Sequence, residues 1–157
     1  MSTFSREPVM VDSNVWIDYL LGEERGIKLM ERLVSEYHLA ITPTIYGEVV
    51  FQLLARNYAK LRGSYKFYSL RKELTKSPEL YKPVATFDEL LDLLLASNAL
   101  TFLDETWEVV RLSREIRVKF GLLPNDSLIA SACEYYGIRK IATFDDDFLR
   151  TNLEVLR

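Results

Sequence analysis

Apolar residues fall into two kinds of pattern along this chain. Short continuous runs at residues 8–12 (PVMVD), 38–42 (HLAIT), 100–103 (LTFL) and 138–143 (IRKIAT) have the length of strands covered on both faces, and residues 153–156 (LEVL) predict a fifth. Between them lie longer stretches with helical spacing. One runs from Asn14 to Leu21 and stops at Gly22, and another covers about Gly26 to Tyr37. Pro43 opens a helix reaching about Tyr58, because proline is favoured in a first turn. Residues 60–98 predict two or three further helices, punctuated by Gly63 and by the Ser77-Pro78 and Lys82-Pro83 pairs. A helix from Thr106 to Phe120 carries Val109, Val110, Ser113, Ile116 and Phe120 on one face. After a turn at 121–124, Asn125 or Asp126 opens a helix that ends before Gly137. Strands alternating with helices predict an α/β domain on a mainly parallel sheet of four to five strands. Such sheets bind ligands outside the carboxyl ends of their strands. No repeat, low-complexity tract or flexible linker interrupts the pattern, so residues 1–157 read as one domain.

Composition narrows the chemistry. The chain is 48% hydrophobic, ordinary for a folded domain, and no apolar run approaches the roughly 20 residues of a membrane span. The first eight residues contain no apolar core of a signal peptide. A single cysteine, Cys133, allows no internal disulfide or thiolate zinc site and suits a reducing cytoplasm, and its helical position reads as a buried small residue. The one histidine, His38, begins an apolar run and reads as a strand-end residue. No Gly-x-Ser-x-Gly turn and no glycine-rich phosphate loop is present. Chemistry at this chain must therefore come from carboxylates. Net charge is -3, so any attraction to nucleic acid must be local or carried by a metal.

Four acids are placed to converge. Asp12 ends the first strand and Asp145 follows the fourth, so a parallel sheet delivers both to one edge. Asp126 lies in the first turn of a helix that starts at the same edge. Glu48 lies just over a turn into the helix leaving the second strand, and is the only acid between Tyr37 and Lys72. Structural roles compete with this reading. Asp12 and Asp126 suit helix N-caps, Asp145 could begin the last short helix in the run Asp145, Asp146, Asp147, and Glu48 could face solvent. Its apolar neighbours Ile45, Val49, Val50 and Phe51 argue instead for a buried carboxylate that needs compensation. Clustered carboxylates repel one another, and one or two hard cations such as Mg2+ or Mn2+ relieve that repulsion.

At these residues the sequence resembles the PIN-domain nucleases, and among them the VapC-like toxins. The matching segments are residues 11–17 (VDSNVWI), 47–48 (GE), 123–130 (LPNDSLIA) and 142–148 (ATFDDDF), in the family's order. The resemblance implies a three-layer α/β/α fold and an Mg2+- or Mn2+-dependent endoribonuclease. It implies metal-ligand and catalytic roles for Asp12, Glu48, Asp126 and Asp145. Asn14 and Thr143 match supporting polar positions, and Asp147 matches a second acid of structural or secondary role. An RNA substrate, an antitoxin partner and a homodimer are implied in the same way. The chain is longer than a compact VapC-like toxin, with the extra length in the N-terminus and in a helical insertion at about 60–98.

That insertion has its own chemistry. From Arg56 to Lys72 there are six basic residues and no acid, interleaved with Tyr58, Tyr65, Phe67 and Tyr68. Arg56, Lys60, Arg62 and Lys66 would neutralise phosphates while the rings stack on bases of single-stranded RNA. The competing reading is a helical hairpin with a solvated basic face and an aromatic core or dimer face. Two further readings of the whole chain compete. One is a PIN-fold module that binds RNA or protein without cutting. The other is a haloacid-dehalogenase-like phosphatase, whose Asp-x-Asp motif meets Asn14 at its second acid.

Overall fold

In the computed structural model, which describes residues 4–157, five parallel strands make one sheet: β1 (Pro8–Val11), β2 (His38–Ile41), β3 (Leu100–Phe102), β4 (Lys140–Ala142) and β5 (Glu154–Leu156), in the order β3-β2-β1-β4-β5. Residues 1–3, part of the segment read for a signal peptide, lie outside the described residues. Seven helices flank the sheet: α1 (Ser13–Leu20), α2 (Glu24–Glu36), α3 (Pro43–Arg62), α4 (Phe67–Glu73), α5 (Lys82–Ala96), α6 (Trp107–Phe120) and α7 (Pro124–Tyr136). The result is the three-layer α/β/α arrangement expected. Val9, Met10 and Val11 are fully buried, as are Leu39, Ala40 and Ile41, which explains why these strands read as continuous apolar runs rather than alternations.

Strand order decides where a ligand can sit. From β1 the chain passes outward through β2 to β3, then returns to place β4 on the other side of β1. The chain leaving β1 and the chain leaving β4 lead to opposite edges of the sheet, so a crevice opens beyond the carboxyl ends of these two strands. Asp12 follows β1 and Thr143 follows β4, in register through Val11 paired with Ala142.

Most helix limits follow local chemistry. Thr42 and Thr106 cap α3 and α6 by accepting from the amides of Ile45 and Val109. Gly63, Gly121 and Gly137 end α3, α6 and α7 at positive φ of 88°, 64° and 72°. Two limits differ from the sequence reading. α3 continues past Tyr58 to Arg62, because the next residue able to take the left-handed cap is Gly63. α7 opens at Pro124 with Leu123 as N-cap, so Asp126 is a first-turn residue rather than the cap.

The core packs around Trp16, fully buried, whose indole N–H donates to the Val11 carbonyl at 3.0 Å and whose ring lies 5.7 Å from Phe87. Cys133 is buried, and burial pushes its thiol well above its ordinary range. His38 is buried at the start of β2, with Nε2 2.7 Å from the Thr101 hydroxyl, and burial lowers its pKa. Among the described residues no helix is long and apolar enough to cross a membrane.

Gly26 is where α1 and α2 meet. A Cβ there would lie 2.6 Å from the Asp18 Cβ and 2.6 Å from the Tyr19 backbone nitrogen. Backbone cannot retreat locally, so Gly26→Ala must push the two helices apart. We expect it to destabilise the protein by about 1–3 kcal/mol, read as a lower denaturant midpoint. An unchanged midpoint would mean the helix pair slides freely.

Candidate metal centre

Asp12 caps α1 and also lines the crevice. Its Oδ1 accepts from the Ser13 amide at 2.8 Å, and its Oδ2 accepts from the Thr143 hydroxyl at 2.7 Å and from Asn14 Nδ2 at 3.3 Å. A carboxylate offers about four lone-pair sites, so roughly one remains free. Capping and metal ligation, alternatives in the sequence, are compatible in the fold. Asp12 is only 3% exposed.

Thr143 is the hub beneath it. Its hydroxyl donates to Asp12 and accepts from Asn14 Nδ2 at 3.2 Å and from the Asp145 amide at 3.0 Å. Asn14 also accepts from the Phe144 amide at 3.1 Å. Through these bonds Asn14 and Thr143 lock the loop after β4 onto the end of β1. Asn14 is spent on this task, so the Asp-x-Asp arrangement of a phosphatase is not built.

Asp145 accepts from the Asp147 amide at 2.8 Å and so starts the short 3-10 helix Asp146–Arg150. It nevertheless keeps a face on the crevice. Carboxylate oxygens of Asp126, Asp145 and Asp147 lie within 4.8 Å of one another. Asp147 is also paired with Arg150 at 3.0 Å, and Arg150 donates to the carbonyls of Phe120 and Gly121 at 3.0 and 2.8 Å. Arg150 thereby ties the turn before α7 to the loop after β4, a role the sequence did not disclose.

Glu48 approaches from α3. It is half-buried rather than buried as its apolar neighbours suggested, because it faces the crevice mouth. Its Oε1 accepts from Asn125 Nδ2 at 3.0 Å. Asn125 is the residue the sequence reading passed over; its place beside Asp126 in the first turn of α7 was the available signal. Asp12, Asn14, Glu48, Asp126 and Asp145 line one cavity of about 300 Å³, with Phe51, Gln52 and Leu123 on its other walls.

Electrostatics follow from this crowding. Burial first, then the charges of Glu48 and Asp145, push the Asp12 pKa up to about 6 against the lowering bonds from Thr143 and Ser13. Burial, then Asp12, Asp145, Glu48 and Asp147, push Asp126 up to about 7. A helix N-terminus favours a carboxylate by only ~0.3–1 kcal/mol, so at Asp126 desolvation and like charge win. The donor set is all oxygen, since Cys133 is enclosed in the core and His38 is bound to Thr101. Such a set fits a hard divalent cation.

The basic segment divides in the structure. Arg62 is committed to Glu73 at 3.0 Å and Glu79 at 3.5 Å, and Tyr58 is buried in the core. Arg56, Lys60 and Lys66 remain exposed.

Comparison with known proteins places this arrangement in a family. The PIN domain model matches residues 9–153. Ribonuclease VapC6 of Methanocaldococcus jannaschii is 34% identical over 151 residues, covering 95% of this chain and 96% of that protein. Ribonuclease VapC2 of the same organism is 35% identical over 150 residues, covering 94% and 92%. The solved structure of DNA-bound VapBC from Salmonella typhimurium shares the fold, with a TM-score of 0.62 at 15% identity over 96% of this chain and 97% of that one. With the family match spanning nearly the whole chain and two relatives above 30% identity, the protein belongs to the PIN-domain family.

Proposed function

We propose that this PIN-domain protein is an endoribonuclease dependent on Mg2+ or Mn2+, and the toxin of a toxin–antitoxin pair. The observation that carries the reading is the convergence of Asp12, Glu48, Asp126 and Asp145, from four separate segments, on one cavity at the β1–β4 crevice. The ribonuclease relatives, matched almost end to end, support RNA as substrate and VapC-like toxins as the branch. On that basis the helices at about 60–98 belong to the same unit as the rest, a homodimer is the assembly, and the setting is cytoplasmic.

Asp12, Glu48, Asp126 and Asp145 would hold the cation, with an Asp147 carboxylate oxygen within 4.8 Å of those of Asp126 and Asp145. A bound divalent cation polarises a phosphoryl oxygen and lowers the pKa of a water nucleophile. Thr143 and Asn14 keep Asp12 oriented, and Asn125 keeps Glu48 turned inward. Left uncompensated, these carboxylates repel an RNA phosphate inside the cavity, so the cation strengthens seating of the scissile phosphate there while contacts outside the cavity do not depend on it. Arg56, Lys60 and Lys66 are the phosphate-binding residues of this reading, with Arg62 held by its glutamates.

The test is cleavage of an RNA with single-stranded loops, with and without Mn2+ or Mg2+, beside calorimetric metal binding across pH. Protons compete with the cation at Asp12 and Asp126, whose pKa values of about 6 and about 7 set the window. Affinity should therefore fall steeply between about pH 8 and about pH 5.5. Absence of metal binding would sink the nuclease reading in favour of a non-catalytic binding module.

A further inference from the structure

Four large aromatic rings stand exposed beside the acidic cavity. Phe51 is 42% exposed, Tyr65 43%, Phe67 49% and Tyr68 73%. They form one cluster. Phe51 lies 6.4 Å from Tyr65, nearly perpendicular to it, and 6.5 Å from Phe67; Phe67 meets Tyr68 edge-on at 5.4 Å. Edge-on contacts engage the rim of one ring and leave flat faces uncovered. Other apolar groups of the same segment do reach the core: Tyr58 is 7% exposed and Leu70 3%. These four rings are the ones the fold leaves outside.

The cluster touches the site directly, because Phe51 is also a wall of the acidic cavity. Charge is arranged along the same path. Glu48, Gln52, Arg56 and Lys60 recur every fourth residue on α3, so they form one stripe. Its first two members line the cavity and its last two carry positive charge away from it. Lys66 sits immediately before Phe67. Arg56, Lys60 and Lys66 have no carboxylate partner among the described residues. A polyanion with flat bases matches both features, and a strand whose phosphate lies at the carboxylates must pass this border.

We propose that Phe51, Tyr65, Phe67 and Tyr68 form a base-stacking subsite that seats unpaired nucleotides of the RNA beside the scissile phosphate, with Arg56, Lys60 and Lys66 on the flanking phosphates. The proposal rests on the nuclease reading, and binding without metal tests it separately. The probe is a single-stranded RNA of roughly ten nucleotides carrying one fluorescent purine analogue, bound to the full chain in chelator. Phe67→Leu with Tyr68→Leu should weaken binding by about tenfold or more and relieve quenching of the analogue. The slope of log affinity against log salt should stay unchanged, because no cation is lost. Lys60→Ala with Lys66→Ala should instead flatten that slope. Both aromatic positions are exposed, so circular dichroism should match wild type. Wild-type affinity and quenching in the aromatic double variant would overturn the subsite and leave this face to a protein partner. Loss of binding in that variant supports the subsite even in a preparation that cleaves no RNA, so failure of the nuclease reading would show on its own.

Discussion

Asp126→Asn should reduce metal-dependent RNA cleavage by roughly a thousandfold while raising the melting temperature of the metal-free protein at about pH 8. The two effects share one cause. Asp126 is half-buried and faces Asp12, Asp145, Glu48 and Asp147, which together with burial raise its pKa from 3.8 to about 7. An acid whose folded pKa exceeds its unfolded value binds more protons in the fold than in the unfolded chain. Its contribution to stability therefore falls as pH rises from 3.8 and is at its worst above about 7. Asparagine carries no charge, so the variant escapes this penalty. The gap in melting temperature should close toward about pH 4, where the wild-type carboxyl is protonated. Added Mn2+ should reverse the ranking, because a ligand that binds only the folded wild type stabilises it by mass action. A variant that cleaves at wild-type rate would remove Asp126 from the centre. A variant less stable than wild type at every pH would overturn the electrostatic account.

Thr143→Val is the second large effect. Its hydroxyl is fully buried and makes three bonds, to Asp12, Asn14 and the Asp145 amide. Valine keeps the shape and deletes all three, leaving the Asp145 amide without its acceptor. We expect a loss of about 1–3 kcal/mol in stability and a roughly 10–100-fold loss in cleavage or metal affinity. Thr143 acts by positioning, so its signature lies in the pH profile. The Thr143 bond lowers the pKa of Asp12, opposing burial. Without it that pKa rises further, and the acid limb of the rate profile should move to higher pH. Thr143→Ser restores a hydroxyl and should recover both rate and profile. An unshifted limb in Thr143→Val would reduce its role to packing.

Asp12→Asn is a less clean substitution than Asp126→Asn. Asp12 accepts three bonds, and an amide nitrogen placed on either side would face a donor: the Ser13 amide, or Thr143 and Asn14. At Asp126, whose surroundings are other acids, the amide meets acceptors instead.

The sequence by itself determined the architecture and the chemical class of the site. Uninterrupted apolar runs such as 9–11 and 39–41 have the length and composition of strands covered on both faces, and alternation with helices favours pairing them in parallel. A parallel sheet then brings Asp12 and Asp145 to one edge without further information. Pro43, Gly121 and Gly137 marked helix limits because backbone constraint is local, whereas the limits at Gly63 and Pro124 came from the structure. Tertiary structure decided what depends on partners distant in the chain. Thr143 reaches Asp12 across 131 positions, and Asn125 reaches Glu48 across 77. Arg62 looked like one member of a basic series until Glu73 and Glu79 folded against it. Tyr58 turned inward while Tyr65, Phe67 and Tyr68 stayed outside, although all four are aromatic in one segment. Composition fixes which groups are present; burial and the charges that packing brings near decide which of them ionise, pair or stay free.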